Sequence, residues 1–111
     1  KYEEQKIQNT RKNLDSFSDK IKYHVGYIPE TFNDSAPNEI SYLHIDVNSA
    51  KTTMEILEFF YPTLTSNGII LFDDYGWSAY NETRKQVDKF LLHKDGVLFI
   101  SPTGQAIFYK S

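Results

Sequence analysis

Cysteine is absent from the 111 residues of this chain. Its absence excludes a disulfide scaffold, a thiolate nucleophile, and zinc or iron–sulfur sites held by cysteine. Any metal site must therefore be built from oxygen ligands or from the imidazoles of the three histidines.

Long apolar runs and runs of positive charge are absent as well. No apolar stretch approaches the roughly 18 to 20 residues that cross a bilayer, and the first 25 residues lack the apolar core of a signal peptide. Lysine and arginine never occur in runs longer than two, and the formal net charge is -3. The sequence therefore predicts a cytoplasmic protein whose main partner is neither nucleic acid nor a membrane.

Glycine is scarce, and its positions exclude the common glycine-rich binding turns. The five glycines are scattered, with no Gly-x-Gly turn after a predicted strand, no phosphate loop and no Gly-x-Ser-x-Gly nucleophile elbow. A nucleotide or cofactor cradle of these kinds is not encoded in the chain.

The residues that are present are typical of one folded α/β domain covering residues 1–111. With 40% hydrophobic and 15% aromatic residues, the chain has enough apolar surface for a single core. Apolar periodicity predicts helices at 1–18, 50–64 and 81–93, strands at 21–26, 40–45, 69–72, 97–100 and 106–109, a helical turn at 28–32 and a loop at 33–39.

Strands separated by helices predict a doubly wound, mostly parallel sheet that ends in an antiparallel hairpin. The apolar run 69–72 is typical of a strand covered on both faces. The helix at 50–64 is expected to be capped by Asn48 or Ser49 and to stop at Asn67 and Gly68.

Acidic residues end two of the predicted strands. Asp46 follows the strand 40–45, and Asp73 and Asp74 follow the strand 69–72. If the two strands are neighbours, their ends lie about 5 Å apart, and the converging carboxylates favour a hard divalent cation such as Mg²⁺, Ca²⁺ or Mn²⁺. The alternative is that each aspartate caps a turn or ends its strand in solvent. An acidic pair this late in the chain does not match a phospho-receiver domain.

Other side chains near these strand ends are candidates for supporting roles. His44 lies two residues before Asp46 and on the same face of its strand, so it is a candidate base or ligand, or simply a hydrogen-bonded half-buried histidine. Tyr75, Trp77 and Tyr80 follow the acidic pair and either wall a substrate pocket or pack above the strand end.

Several segments together resemble a known enzyme family. They are residues 42–50 (YLHIDVNSA), 57–64 (LEFFYPTL), 68–77 (GIILFDDYGW) and 102–105 (PTGQ), preceded by 23–32 (YHVGYIPETF). They resemble the C-terminal half of class I S-adenosylmethionine-dependent O-methyltransferases of the macrocin O-methyltransferase type, in which residues 23–32 are similar to the third strand and the turn after it.

The resemblance implies roles for individual residues. Asp46, Asp73 and Asp74 correspond to the ligands of a divalent metal, usually Mg²⁺. Asn48 occupies the place of a carboxylate base, and because asparagine cannot take a proton at neutral pH, His44 is the remaining candidate. The implied reaction transfers a methyl group to a hydroxyl of a sugar or another small molecule, with the metal lowering the pKa of that hydroxyl.

The resemblance also implies what the chain lacks. The family builds its cofactor site from its first two strands and a glycine-rich turn, and no residues of this chain match them. We therefore expect no productive S-adenosylmethionine binding and no activity from the 111 residues alone. The family's strand order, 3-2-1-4-5-7-6, also leaves residues 40–45 as an open edge. We expect residues 21–25 or a second copy of the chain, in a homodimer, to cover it.

Two other functional classes stay open at this point. One is a non-catalytic α/β module for binding or oligomerisation. The other is a metal-dependent enzyme that works without S-adenosylmethionine.

Overall fold

The computed structural model describes residues 2–33 and 36–111. Its helices and strands, in chain order, are α1 (Tyr2–Asn13), β1 (Ile40–Ile45), α2 (Ala50–Phe60), β2 (Leu64–Phe72), α3 (Asn81–Leu91), β3 (Gly96–Ile100) and β4 (Ala106–Lys110). Short 3₁₀ helices cover Asp15–Lys20, Glu30–Asn33, Tyr61–Thr63 and Ser78–Tyr80. Part of the predicted loop 33–39 lies outside the described residues. Within them, none of the helices is both long and apolar enough to span a membrane.

The sheet has four strands in the order β1-β2-β4-β3. β1 and β2 are parallel, whereas β4 is antiparallel to both β2 and β3. The prediction of an α/β fold with a C-terminal antiparallel hairpin is thereby confirmed. This order also corresponds to the segment 4-5-7-6 of the strand order implied by the resemblance.

The α2 helix begins where the sequence indicates and ends earlier. The backbone N–H of Thr52 donates to Ser49 Oγ at 3.2 Å, so Ser49 is the cap. The helix ends at Phe60 and continues as a single 3₁₀ turn, because Pro62 has no N–H to donate to the preceding turn. The predicted stop at Asn67 and Gly68 is therefore wrong.

Asn67 and Gly68 instead form an irregularity inside β2. The register jumps from Ile40 opposite Leu64 to Tyr42 opposite Ile69, so extra residues of β2 bulge out of the ladder. Asn67 adopts a φ of 65° there. A Cβ at residue 68 would lie 2.7 Å from the Thr65 backbone carbonyl oxygen, which cannot move aside as a side chain can, so this bulge requires glycine.

The core lies on one face of the sheet, beneath α2 and α3. Strand residues pointing to this face are buried together with α2 and α3 side chains: Ile45, Ile70, Phe72, Ala106 and Phe108 with Ile56, Leu57, Val87 and Leu91. Phe32 extends the core by packing on Phe59 and Phe60, with ring centroids 4.8 and 4.9 Å away.

The opposite face of the sheet is largely exposed. The register places eight side chains on it in two rows, Tyr42, Ile69, Tyr109 and Val97 in one and His44, Leu71, Ile107 and Phe99 in the other. We call these eight residues the bare face. Phe99 is 55% exposed and Val97 54%. The prediction that the strand 69–72 is covered on both faces is therefore wrong among the described residues, because both packing helices lie on the same side.

Residues 21–25 do not form the predicted strand. They are extended and lie along α1, where the Arg11 guanidinium carbon is 5.1 Å from the centre of the Tyr23 ring. The expectation that residues 21–25 cover the β1 edge is wrong in this structure, and pairing with a second copy stays a prediction.

Tyr75 ties the segment that follows β2 to α3. The side chain is 3% exposed, its hydroxyl donates a hydrogen bond to Asp88 Oδ1, and the Arg84 guanidinium carbon lies 5.1 Å from its ring centre. Burial is the main cause that raises the pKa of Tyr75 from 10.0 to about 12, and the Asp88 carboxylate is the second. The segment carrying Asp73 and Asp74 is thus anchored to the helix layer.

We expect Tyr75→Phe to lower the free energy of unfolding by about 1 to 2 kcal/mol at neutral pH, since it removes one hydrogen bond to a carboxylate. The pKa of Tyr75 is higher in the folded chain. Its protonated form therefore stabilises the fold fully below pH 10 and loses this effect as the pH rises towards 12. Urea unfolding measured at pH 7 and above pH 10 should show that the free energy of unfolding falls less with rising pH in the variant than in the unaltered chain. Tyr42→Phe, on the bare face, is the control, and equal losses for both variants would contradict this role.

We expect a second copy to pair along β1, because this edge strand contains neither lysine nor proline to block pairing. Sedimentation of the chain should show a dimer that Tyr42→Lys dissociates by placing like charges at the two-fold edge. Tyr109→Lys puts the same charge on the bare face of the interior strand β4 and should leave edge pairing intact. A monomer at all concentrations, or dissociation by Tyr109→Lys alone, would contradict edge pairing.

Candidate metal centre

The parallel pairing of β1 and β2 brings two of the predicted acidic residues together. Ile45 is aligned with Phe72, and the backbone N–H of Asp73 donates to the Ile45 carbonyl at 3.1 Å. The next residues, Asp46 and Asp73, therefore leave the sheet side by side. Among the described residues, one ligand atom from each of His44, Asp46 and Asp73 lies within 4.8 Å of the other two.

His44 joins this cluster because it points to the same side of β1 as Asp46. Its Nε2 lies 3.8 Å from Asp73 Oδ1, and both side chains remain partly exposed, at 41% and 32%. The imidazole is thus available either to a cation or to a molecule that approaches the cluster from solvent.

Asp74, the third predicted ligand, is placed differently. It is half-buried and is not part of the three-residue cluster, although its charge contributes to raising the pKa of Asp46. Asp74 thus lies near the cluster but outside the group of converging atoms. Its ligand role stays a prediction.

The pKa values of the two carboxyl groups in the cluster shift in opposite directions. The negative charge of Asp73 is the main cause that raises the pKa of Asp46 above its usual value of 3.8. The pKa of Asp73 is lowered, chiefly by a hydrogen bond from Gln105. Two carboxylates thus share one site, and their mutual repulsion raises the pKa of Asp46.

Gln105 is a functional candidate that the sequence reasoning assigned no role. Its Nε2 donates to Asp73 Oδ1 at 2.9 Å, across 32 residues of sequence. Only the antiparallel register that sets Phe72 opposite Ala106 brings the two residues together. The one available signal was the segment 102–105, which belongs to the resemblance but carries no role there.

The three predicted pocket aromatics occupy different environments. Tyr75 is buried against Asp88, Trp77 is 57% exposed, and Tyr80 is half-buried. Tyr75 and Tyr80, with Asp73 and Asp74, line a cavity of about 10 Å³, which is room for one water molecule. The cavity is too small for a substrate, so any substrate must lie on the open side of the cluster. The pocket roles of these residues stay predictions.

Asn48 is exposed beyond the end of β1, two residues after Asp46. Its amide can orient a hydroxyl by hydrogen bonding, but it cannot accept a proton at neutral pH. Of the two predicted base candidates, only His44 carries a titratable group and lies in the cluster.

The donor set fits a divalent cation. Two carboxylates supply the oxygen ligands that Mg²⁺ and Mn²⁺ prefer, and an imidazole is compatible with Mn²⁺. Because the cluster is open to solvent, water or a substrate hydroxyl can complete the coordination. The same positive charge would relieve the repulsion between Asp46 and Asp73.

Solved O-methyltransferase structures share this fold at low sequence identity. The O-methyltransferase NovP aligns with 94% of the chain at 20% identity and a TM-score of 0.66. CalS11, a TDP-rhamnose 3′-O-methyltransferase of calicheamicin biosynthesis, aligns with 74% at 20% identity and a TM-score of 0.58. A Staphylococcus aureus protein provisionally assigned as a caffeoyl-CoA O-methyltransferase aligns with 95% at 15% identity and a TM-score of 0.72.

The chain corresponds to only part of each of these proteins. It spans 44% of NovP, 36% of CalS11 and 59% of the S. aureus protein. A search of curated proteins finds no match. A family model described as macrocin-O-methyltransferase (TylF) matches residues 2–97, well over half of the sequence. The chain therefore belongs to the macrocin-O-methyltransferase (TylF) family of O-methyltransferases.

Proposed function

We propose that this chain is the metal-holding, acceptor-side part of an S-adenosylmethionine-dependent O-methyltransferase that methylates a hydroxyl of a sugar or another small molecule. The observation that carries the proposal is the cluster of Asp46 and Asp73 with His44 at the ends of two hydrogen-bonded parallel strands. Membership of the TylF family supplies the reaction class.

Asp46 and Asp73 would hold the cation, with Asp74 as the third carboxylate implied by the resemblance. A bound divalent cation supplies one chemical effect, the lowering of the pKa of a hydroxyl that it coordinates. The protein's own contribution is position, because both carboxylates are fixed by the strand ends from which they project. Position of this kind lowers the barrier to a displacement by holding the reacting oxygen in place.

S-adenosylmethionine, when bound, would supply the methyl group that the acceptor oxygen takes and would leave as the neutral thioether. The acceptor's hydroxyl proton must leave, and His44 Nε2 is the candidate to take it, since Asn48 cannot. The 3.8 Å separation from Asp73 Oδ1 lets that carboxylate stabilise the resulting imidazolium.

A sugar acceptor is supported by the printed function of one structural relative, the TDP-rhamnose 3′-O-methyltransferase CalS11. On this chain, the indole of Trp77 is exposed and lies against Gly104, the residue before Gln105. Trp77 follows Asp74 by three residues, and its backbone N–H donates to the Asp74 carbonyl at 3.2 Å. We assign Trp77 to the acceptor side of the site.

We expect the chain to bind Mn²⁺ with 1:1 stoichiometry in calorimetric titration. Asp46→Asn or Asp73→Asn should weaken this binding more than about 100-fold, because each removes a direct ligand, whereas the loss of a hydrogen-bond partner of a ligand costs about 10- to 100-fold. Asp19→Asn, which removes one exposed carboxylate from the 3₁₀ helix Asp15–Lys20, is the matched control and should bind as the unaltered chain does. No Mn²⁺ binding by the unaltered chain would overturn the metal site and favour the non-catalytic binding module.

We expect the 111-residue chain alone to show no binding of S-adenosylmethionine at micromolar concentrations. None of its five glycines forms a glycine-rich turn after a strand of the parallel pair, the element on which such cofactors rest. Calorimetric titration with the cofactor, with and without Mn²⁺, is the measurement. Micromolar affinity would show that residues of this chain suffice to bind the cofactor. It would contradict the proposal that the chain supplies only the metal-holding, acceptor-side part of the enzyme.

A further inference from the structure

Gln105 contacts the acidic cluster from outside the parallel strand pair. It lies just before β4, at the end of the connection from β3, and its side chain is partly buried. Its Nε2 donates to Asp73 Oδ1 at 2.9 Å. The same Asp73 oxygen faces His44 Nε2, so this hydrogen bond acts on a carboxylate of the proposed cation site.

The amide of Gln105 is held in one orientation by its own loop. The Thr103 hydroxyl donates to Gln105 Oε1 at 3.3 Å, and Ser101 Oγ lies 2.9 Å from Thr103 Oγ1. Because the carbonyl end of the amide accepts from Thr103, its NH₂ end is turned towards Asp73. A chain of polar side chains thus runs from Ser101 to the cluster.

The backbone of this loop is fixed against the segment that carries the aspartates. The Gly76 N–H donates to the Gly104 carbonyl at 2.7 Å. A Cβ at Gly76 would approach Gly104 Cα to 3.0 Å, and Gly104 itself has a φ of +87°. Glycine at both positions therefore permits the close approach of the two loops, which brings residue 105 within reach of Asp73.

We propose that Gln105 is a positioning residue that fixes the Asp73 carboxylate for cation binding. One Asp73 oxygen accepts the amide hydrogen bond, which leaves the rotation of the carboxylate restricted and the other oxygen free to face a cation beside Asp46. The inference rests on the proposed metal site. Partners of this outer kind orient metal ligands, and their loss typically costs 10- to 100-fold in affinity.

The test is Mn²⁺ affinity measured by calorimetry and by the electron paramagnetic resonance of bound Mn²⁺. Gln105→Met keeps the length of the side chain but removes the donor. It should weaken Mn²⁺ binding by about 10- to 100-fold and broaden the bound-ion spectrum at an unchanged melting temperature. Thr103→Val should give a smaller loss, because the amide keeps its donor but loses its orienting partner.

Gln86→Met is the matched control. Gln86 Nε2 donates to the Glu82 carboxylate at 3.0 Å on the exposed face of α3, the same type of bond without contact to the cluster. It should leave the affinity and the spectrum unchanged. If the chain binds Mn²⁺ and Gln105→Met binds it equally well, the positioning role is overturned while the metal site stands. If the unaltered chain binds no Mn²⁺, both fall.

Discussion

The parallel pairing of β1 with β2 is the constraint on which the site depends. Parallel strands end at the same edge of a sheet, so whatever follows one strand lies beside whatever follows its neighbour. Here those residues are Asp46 and Asp73, and the hydrogen bond from the Asp73 N–H to the Ile45 carbonyl extends the ladder to the point where the two side chains project from the sheet. Their mutual repulsion is a cost that the fold imposes, and a divalent cation would offset it.

The rest of the structure holds these strand ends in place from two sides. From the helix layer, Asp88 on α3 accepts a hydrogen bond from the Tyr75 hydroxyl and so anchors the segment after β2. From the C-terminal hairpin, Gly104 accepts the Gly76 N–H and Gln105 donates to Asp73. The cluster is therefore supported by elements distant in sequence, although its members come from only two strands.

Local pattern was sufficient to predict most elements and the proximity of two of the three aspartates, Asp46 and Asp73, whereas Asp74 lies outside the cluster. β1 was predicted with its observed bounds. The positions of Asp46 and Asp73 directly after apolar strands predicted that the two residues lie close together, as they do. The failures concern long-range contacts. An alternating pattern at residues 21–25 specifies an extended chain but not a partner, and a continuous apolar run at 69–72 does not reveal that one face is left bare. Gln105 could not be found in this way, because its contact depends on hairpin register.

The central claim is that Asp46 and Asp73 hold one divalent cation between them. Anomalous diffraction from crystals of the chain soaked in Mn²⁺ tests it most directly. The account predicts a single strong peak within about 2.5 Å of a carboxylate oxygen of each residue, with the Gln105 amide still bonded to Asp73. A peak bound elsewhere on the chain, or no peak while both carboxylates are ordered and accessible, would contradict it.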